Sequence, residues 1–254
     1  MNYKNTIKEK LNSGGTAFGI FQSMASVAVS EILANRPFDW ILVDMEHGMM
    51  GIETAGNLFA AIDREGRTPL VRVAGNDQAT IKRALDAGAM GVMIPLINSR
   101  EEAVRAVSYC KYSPKGVRGL GPGRASLYGV KLAEYSATAD SEIIVMLQAE
   151  HKDAVEHIDE IASVPDIDIL FVGPYDLACS MGHASQPGHP EVEMAISKVL
   201  AAAQGANVVP GIFCMNAEAA KKRASQGFRF IAIGLDSIYL DSGVCMALEN
   251  LRNI

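Results

Sequence analysis

The chain has 254 residues, of which 49% are hydrophobic and 6% aromatic. This length predicts one domain over residues 1–254, with enough apolar side chains for a large core. The formal net charge is −6, and no Lys/Arg run is long enough to form a polyanion-binding stripe. These features exclude nucleic acid as an expected partner.

The cysteines and the lack of long apolar runs indicate the compartment. The four cysteines are far apart, without the C-x-x-C spacing of zinc ribbons or redox centres: Cys110, Cys179, Cys214 and Cys245. We expect reduced, buried thiols. No run reaches the roughly 18 apolar residues that span a bilayer, and the polar N-terminal stretch has no signal-peptide core. The sequence therefore predicts a soluble, cytoplasmic protein without a membrane partner.

Eight short apolar runs alternate with amphipathic stretches along the chain. The runs are too continuously apolar for an antiparallel sheet with one solvent-exposed face. The alternation of apolar runs with amphipathic stretches is typical of strand–helix units on a parallel sheet. They cover residues 17–21, 40–44, 69–73, 91–95, 143–148, 169–172, 209–213 and 230–233. Eight parallel strands close a barrel of about 250 residues. We therefore expect an α/β fold, a single (β/α)8 TIM barrel.

The stretches between the strands predict helices, several of which end at a glycine. Such helices cover residues 77–87, 190–204 and 217–226. Glycine and proline recur too often in residues 111–129 for a helix or an internal strand. We expect a long loop there over a mouth of the barrel, then a helix over residues 130–138, and a closing helix over residues 235–251.

Polar residues after the predicted strands supply the candidate site, since the carboxyl ends of the strands build the active site of a parallel barrel. Glu150 and Asp176 follow adjacent strands, where two carboxylates and substrate oxygens can bind one hard divalent cation. The alternative is a pair of ordinary loop acids or helix N-caps. The nearby Gln148 and Arg72 favour the metal site, because several polar groups converge there.

Two further side chains fit acid/base and anion-binding roles. His47 lies three residues after Asp44, so a carboxylate can hold its imidazole at the barrel mouth. Arg72 stands between apolar neighbours, where a buried guanidinium needs an anion or oxyanion partner; a structural ion pair is the alternative. The other four histidines are interpreted as structural: His151, His157, His183 and His189.

The segment Gly173-Pro174-Tyr175-Asp176 and the placement of the lysines complete the predicted site. Backbone N–H groups after the proline can bind a carboxylate, as helix N-termini do. Taken alone, the segment is only a turn. No predicted strand carries a lysine at its carboxyl end, which disfavours Schiff-base chemistry.

Taken in order, these residues resemble the HpcH/HpaI family of class II pyruvate aldolases, within the phosphoenolpyruvate/pyruvate superfamily. The matching segments are FDWILVDMEHG (38–48), VRV (71–73), IKRALDAGA (81–89), KYSPKGVRG (111–119), QAE (148–150) and GPYDL (173–177). They span nearly the whole chain in one collinear order, which is more specific than any single motif.

The resemblance implies a metal-dependent enzyme that reversibly cleaves a 4-hydroxy-2-oxo acid to pyruvate and an aldehyde. Glu150 and Asp176 would bind Mg2+, Mn2+ or Co2+, which pyruvate chelates, and Arg72 would stabilise the enolate oxygen. His47 would be the acid/base group, acting on the substrate hydroxyl or through a metal-bound water, with Asp44 as its orienting carboxylate.

The resemblance also implies substrate contacts and an assembly. Gln148 would hold a pyruvate or metal-water oxygen, and the turn after Gly173 would present the amides of Tyr175 and Asp176 to the carboxylate. Asp86 matches a second acid that reaches the histidine from a neighbouring subunit. Family members are commonly hexamers, trimers of dimers, so we expect a homo-oligomer whose last helix packs on a partner's barrel.

Departures from the family pattern leave the substrate open. Tyr175 is bulky where a small residue is common, and His151 replaces a small or hydroxylated residue. Arg118 and Arg124 are candidate cations for an acidic aldehyde. The candidate aldehydes are succinic semialdehyde, a tartronate-type semialdehyde, lactaldehyde, glycolaldehyde and an aromatic one. The alternative functions are a malyl- or citryl-thioester lyase, an oxaloacetate decarboxylase on the same scaffold, and a barrel that acts only as a binding or assembly subunit.

Overall fold

The eight predicted strands form a closed parallel barrel in which each strand pairs with the next along the chain and the last pairs with the first. The structure, a computed structural model, describes residues 4–252. The strands are β1 (Ala17–Gln22), β2 (Trp40–Asp44), β3 (Thr68–Arg72), β4 (Gly91–Ile94), β5 (Ile144–Ala149), β6 (Ile169–Val172), β7 (Val209–Cys214) and β8 (Phe230–Leu235). Their ends differ from the predicted ones by at most two residues. The predicted (β/α)8 TIM barrel is confirmed.

Helices connect the strands and cover the outside of the barrel. Within residues 4–252 they are α1 (Thr6–Asn12), α2 (Val27–Ala34), α3 (Ile52–Arg64), α4 (Gln78–Asp86), α5 (Arg100–Cys110), α6 (Leu132–Glu142), α7 (Lys152–Glu156), α8 (Ile158–Ala162), α9 (Pro174–Ser180), α10 (Pro190–Gly205), α11 (Ala217–Gln226) and α12 (Asp236–Arg252). The helix predicted over 130–138 begins two residues later, at Leu132, because Lys131 is its N-cap with a non-helical φ of −118° and ψ of 33°. None of the helices in this range is long and apolar enough to cross a membrane.

Several helix ends follow from single residues. Asp77, Ser99 and Asn216 occupy N-cap positions, and each side chain accepts a hydrogen bond from the backbone N–H three residues later. Gly227 ends α11 with a φ of 109°, a conformation that favours glycine. These caps fix where α4, α5 and α11 start and where α11 stops.

The interior of the barrel is packed with side chains. Residues of a strand alternate between its two faces, so every second residue points inward. Trp40 of β2 stacks on Phe230 of β8 with ring centroids 4.3 Å apart. A Cβ on Gly19 would lie 2.0 Å from the Trp40 ring, so the indole depends on a glycine in the adjacent strand. Below the carboxyl end, the barrel therefore has no room for a ligand.

The amino-terminal end of the barrel is closed by α1. Ile7 and Leu11 of α1 are buried in the same cluster as the inward-facing strand residues. The side chain of Asn5 donates hydrogen bonds to the carbonyl oxygens of Met90 and Glu142, at 3.0 and 2.9 Å. The carboxyl end of the strands is consequently the open end, where the candidate site lies.

Residues 111–129 do not cover the barrel mouth, and this prediction was wrong. The segment lies against the outer helices: Gln78 Nε2 of α4 donates to the carbonyl of Val117 at 3.1 Å, and Arg124 pairs with Asp63 of α3 at 3.3 Å. Gly123 sits so close to α4 that a Cβ on it would lie 2.5 Å from a backbone oxygen. The recurring glycines thus allow the loop to pack closely on helices.

All four cysteines are free thiols, but only two are buried as predicted. Burial raises the pKa of Cys110 to about 12 and that of Cys214 to about 11, which keeps both protonated at neutral pH. Cys179 and Cys245 are exposed on α9 and α12, so the predicted burial was wrong for these two.

The last helix, α12, leaves the barrel wall. All its residues from Tyr239 to Leu251 are exposed. They include the large apolar side chains Leu240, Val244 and Leu248, each more than half exposed. Exposed apolar side chains gathered on one element indicate a surface that another protein surface covers.

Candidate active site

The predicted polar residues meet at the carboxyl-terminal mouth of the barrel, around a pocket of about 320 Å³. The pocket is lined by Phe21, Ser23, Asp44, His47, Arg72, Gln148, Phe171, Gly173, Pro174, Tyr175, Asp176, Phe213 and Leu235. This lining contains every predicted site residue except two. Glu150 is buried beside Gln148, and Asp86 lies elsewhere on the molecule.

Strand alternation explains why these side chains converge. Leu42 and Leu70 belong to the inward-facing cluster, and Asp44 and Arg72 each follow two residues later on the same strands. The two are Cα partners in the β2–β3 ladder. Because the side-chain period of a strand is two, both must point into the barrel at its uppermost layer. The same alternation brings Gln148 inward from β5.

Arg72 is held by two carboxylates. Its Nε and Nη2 donate to Asp44 Oδ1 and Oδ2 at 2.9 and 2.7 Å, and its Nη1 lies 3.0 Å from Glu46 Oε2. Only 7% of Arg72 is exposed. Burial alone would lower the pKa of Arg72, but the bond and charge of Asp44 and the charge of Glu46 raise it overall. The guanidinium is therefore a fixed positive charge at the pocket wall.

Glu46 is a site residue that sequence analysis missed. It follows Asp44 by two residues, in the tight turn after β2, and its carboxylate reaches Arg72 and comes within 4.0 Å of His47 Nε2. Burial raises the pKa of Glu46, with Arg72 and His47 acting in the opposite direction and Asp44 and Asp176 adding to the rise. The only sequence signal was its position in the same strand-end turn as the predicted residues.

Glu150 is the most strongly perturbed acid of the site. It is 3% exposed, and burial raises its pKa to about 8. The backbone N–H of Leu96 donates to its Oε1 at 2.9 Å and opposes this rise, whereas the charges of Glu46 and Asp176 increase it. The Nε2 of Gln148 donates to its other oxygen in a short hydrogen bond. Glu150 is thus fixed in position but poorly compensated as an anion.

Gly173 makes this packing of Glu150 feasible. A Cβ at position 173 would lie 2.9 Å from Glu150 Oε2 and 3.1 Å from Gln148 Nε2, so any larger residue must displace one of them. Gly173 is also the N-cap of α9. Tyr175 and Asp176 follow in the first turn of α9, where backbone N–H groups lack intrahelical acceptors.

His47 lies at the pocket rim with 66% of its side chain exposed. Within residues 4–252 no hydrogen bond or ion pair joins Asp44 to this imidazole, and the predicted orienting role of Asp44 stays a prediction. Asp44 Oδ1 instead accepts the backbone N–H groups of Glu46 and His47, at 3.1 and 3.4 Å, and its carboxylate is bonded to Arg72. Asp44 therefore positions the turn that carries His47, and the carboxylate nearest to the ring is that of Glu46.

The aromatic side of the pocket adjoins Arg72, whose Cζ lies 5.1 Å from the centroid of the Phe21 ring. Phe213 of β7 packs edge-on against Phe21 and Tyr175, with ring centroids 5.5 and 6.4 Å apart. Leu235 completes this side. Tyr175 is 39% exposed at the entrance. The pocket thus has a charged half and an aromatic half.

Asp86 lies at the end of α4, outside the mouth of its own chain. Its carboxylate accepts a hydrogen bond at 2.7 Å from Arg118, a guanidinium that also contacts Tyr135. The predicted role of Asp86 concerns the site of a neighbouring subunit and stays a prediction. Neither Arg118 nor Arg124 lines the pocket of its own chain.

The structural interpretation of His151 and His157 fits their contacts. His151 is the N-cap of α7, where its Nδ1 accepts the Asp153 N–H at 3.3 Å. A ring nitrogen of His157 lies 2.9 Å from the carbonyl of Asp153. Neither ring lines the mouth pocket.

The chain is similar to known aldolases along nearly its whole length. The chain is 36% identical to the hydroxypyruvate/pyruvate aldolase of Paraburkholderia phytofirmans, with 99% of both chains covered. It is also 36% identical to the 4-hydroxy-2-oxo-heptane-1,7-dioate aldolase of Salmonella typhimurium, over 94% of this chain and 92% of the other. A crystal structure of a HpcH/HpaI aldolase/citrate lyase family protein from Burkholderia cenocepacia has a TM-score of 0.94 at 35% identity, covering 98% and 100% of the two chains.

The predicted enzyme class is confirmed by these likenesses, since aldolases are carbon–carbon lyases. Residues 17–241 match the family described as HpcH/HpaI aldolase/citrate lyase. The chain belongs to the HpcH/HpaI aldolase/citrate lyase family.

Proposed function

We propose that this aldolase reversibly cleaves a 4-hydroxy-2-oxo acid to pyruvate and an aldehyde, with a divalent cation held by Glu150 and Asp176. The observation that carries the proposal is the buried, poorly compensated carboxylate of Glu150 at the same mouth as the clamped guanidinium of Arg72. Two relatives are named for pyruvate and for a 4-hydroxy-2-oxo acid, which supports the assignment.

The residues at the mouth fit a hard cation such as Mg2+, Mn2+ or Co2+. Carboxylate and amide oxygens are the ligands that such ions prefer. Among the described residues, the buried Oε1 of Gln148 has no hydrogen-bond partner, and the like charges of Glu46 and Asp176 act on Glu150. A bound cation would accept this oxygen as a ligand and would offset the repulsion at Glu150. The family generally depends on a divalent metal. When bound, the ion supplies charge stabilisation at the keto oxygen of pyruvate.

Arg72 supplies a second, preorganised positive charge. Two of its five N–H groups donate to Asp44, and Nη1 lies 3.0 Å from Glu46 Oε2 as an ion pair without hydrogen-bond geometry. N–H groups on Nη1 and Nη2 therefore remain for the oxygen that becomes negative in the enolate. Because the carboxylates already fix the guanidinium, no reorganisation is needed when charge develops. Gln148 would hold a pyruvate or metal-water oxygen, and the amides of the first turn of α9 would receive the pyruvate carboxylate.

His47 is assigned as the group that moves the proton of the 4-hydroxyl. Its ring is exposed at the rim and free to approach a substrate, and Glu46, 4.0 Å away, can stabilise the protonated imidazole. Asp44 positions His47 by accepting hydrogen bonds from the backbone N–H groups of the turn that carries the histidine. Asp86 would add a second carboxylate from a neighbouring subunit.

The aldehyde half of the substrate would face the aromatic side of the pocket. Phe21, Phe213, Tyr175 and Leu235 offer apolar contact there. This apolar side of the pocket thus favours an uncharged apolar or aromatic aldehyde over succinic semialdehyde, which carries a carboxylate.

The exposed face of α12 supports a homo-oligomer, in which α12 packs on a second copy of the barrel. A groove of about 520 Å³ between α2 and α12 is lined by apolar residues, among them Ile32, Leu33 and Leu240. A hexamer built as a trimer of dimers would cover this surface and would bring Asp86 to a neighbour's mouth.

The decisive experiment follows enolate formation directly. Metal-stripped protein is incubated with pyruvate in deuterium oxide, Mg2+, Mn2+ or Co2+ is added in turn, and loss of the methyl proton signal is measured by NMR. We expect exchange that depends on the metal and disappears in Glu150→Gln. The matched control is Glu193→Gln, since Glu193 forms a two-pronged ion pair with Arg223 between outer helices and should leave exchange intact.

Absence of exchange with any metal, in folded protein, would contradict the proposal. Thioester cleavage and a non-catalytic barrel would then be the functions to test. If metal-dependent exchange persists in Glu150→Gln, Glu150 is not a metal ligand and other residues bind the ion.

A further inference from the structure

Three side chains with metal-binding atoms come together away from the mouth pocket, where α9 is connected to α10. One ligand atom from each of His183, His189 and Glu191 lies within 4.8 Å of the other two. His183 Nε2 is 2.8 Å from Glu191 Oε2, and the two imidazole rings stack with centroids 3.6 Å apart and an interplanar angle of 15°.

The backbone holds this group in place from both sides. The N–H of His183 donates to the carbonyl of Ala178 in α9 at 2.8 Å, and the N–H of His189 donates to Gln186 at 3.0 Å. His189 is the N-cap of α10, and Glu191 is in the first turn of this 16-residue helix. The three side chains are therefore presented by anchored backbone, which lowers the entropy lost when a ligand binds them.

We propose that His183, His189 and Glu191 form a second metal site of this protein, selective for a borderline transition-metal ion of the Zn2+ class. Two imidazole nitrogens and one carboxylate oxygen are a ligand set that suits Zn2+ and its neighbours. A fourth position would remain for water. The mouth, by contrast, offers oxygen ligands, which suit Mg2+ or Mn2+.

The spacing agrees with coordination to one ion. Ligands 2.0–2.1 Å from a tetrahedral Zn2+ lie about 3.4 Å from one another. The observed atoms are 2.8 Å apart in one pair and at most 4.8 Å apart overall. Coordination of one ion by both imidazoles also requires the rings to turn out of their parallel stack, because an imidazole nitrogen binds a metal in the plane of its ring. The ion would replace the long hydrogen bond of 3.3 Å that His189 Nδ1 accepts from the Glu191 N–H.

The site is open to solvent and separate from the mouth. The side chains of His183 and Glu191 are 22% and 57% exposed, so an ion can enter directly. None of the three residues lines the mouth pocket. A bound ion would tie the connection after α9 to the first turn of α10, and α9 is the helix that carries Tyr175 and Asp176.

The test counts Zn2+ by isothermal titration calorimetry on the whole, untagged chain in excess Mg2+, which occupies the oxygen ligands of the mouth. Cys179 and Cys245 are replaced by serine throughout, because exposed thiols also bind Zn2+. We expect about one Zn2+ per chain in this background and none in His183→Ala or His189→Ala at the same micromolar concentrations. His157→Ala is the matched control, since this exposed histidine lies on another connection.

Electron paramagnetic resonance with Cu2+ identifies the ligands independently of stoichiometry. Coupling to two imidazole nitrogens is expected in the parent and to one in either histidine variant. Equal Zn2+ binding in the parent and in His183→Ala, or equal loss in His157→Ala, would overturn the site. Retained Zn2+ binding in Glu150→Gln is expected, and its loss would place the ion at the mouth instead.

Discussion

Without metal, the protein should become less stable as the pH rises, because of Glu150. Its pKa is about 8 in the folded chain, compared with 4.5 for an ordinary glutamate, chiefly because it is buried. The folded chain therefore binds more protons than the unfolded chain between these two values. The stabilisation is complete below pH 4.5, is lost as the pH rises from 4.5 to 8, and changes no further above that. A difference of about 3.5 units at about 1.4 kcal/mol per unit amounts to about 5 kcal/mol.

The assay compares urea unfolding of metal-free wild type with Glu150→Gln from pH 5 to 8.5, at one protein concentration because an oligomer's stability depends on it. Glutamine keeps the shape without the charge, so the stability difference between the two proteins should grow by several kcal/mol over this range. Glu193→Gln is the control, since the pKa of Glu193 is lowered by Arg223 and stays below the range tested. A difference between wild type and Glu150→Gln that does not change with pH would refute the reasoning.

Three further outcomes are expected at the site and at α12. Arg72→Ala leaves Asp44 buried and unpaired, so it should lower the free energy of unfolding by about 3–5 kcal/mol and abolish pyruvate proton exchange. An unchanged free energy of unfolding would contradict the stabilising ion pair between Arg72 and Asp44. Gly173→Ala should weaken Mg2+ binding about 10- to 100-fold by calorimetry without loss of circular dichroism, because the new Cβ displaces Glu150. Leu248→Asp should reduce the oligomer to smaller species in light scattering, and an unchanged mass would exclude α12 from the interface.

The strands were predictable because a barrel buries both of their faces. A strand such as Trp40–Asp44 has one face in the barrel interior and the other covered by helices, and both faces are buried. Its residues are therefore apolar over nearly the whole strand, which makes it recognisable in the sequence. Residues 111–129 show the limit of this reasoning. Recurring glycine and proline indicate a loop, but they do not specify its packing partner, and the close approach of Gly123 to α4 depends on tertiary contacts.

The same distinction applies to the site. Arg72 and Gln148 were predictable because strand alternation fixes their direction. The turn after β2 was not, because it has no fixed period. A Cβ on Gly48 would lie 2.1 Å from the backbone oxygen of Asp44, so the chain reverses tightly there, with Glu46 near Arg72 and His47 at the rim. Sequence spacing alone could not show that Glu46 is the carboxylate nearest to the histidine ring.

The geometry of adjacent strands also divides the four acids of the mouth into two pairs. Arg72 on β3 lies next to β2, so it neutralises Asp44 and Glu46, the acids of the β2 turn. Glu150 and Asp176 follow β5 and β6 and form no ion pair with a basic side chain within residues 4–252. Glu150 is compensated only in part, by the Leu96 N–H, the amide of Gln148 and the more distant charge of Arg72. A carboxylate kept buried without a cation lowers stability, and such a cost is typical of functional sites. A divalent cation bound by this pair would therefore explain why Glu150 is buried, with the exposed Asp176 as its second ligand.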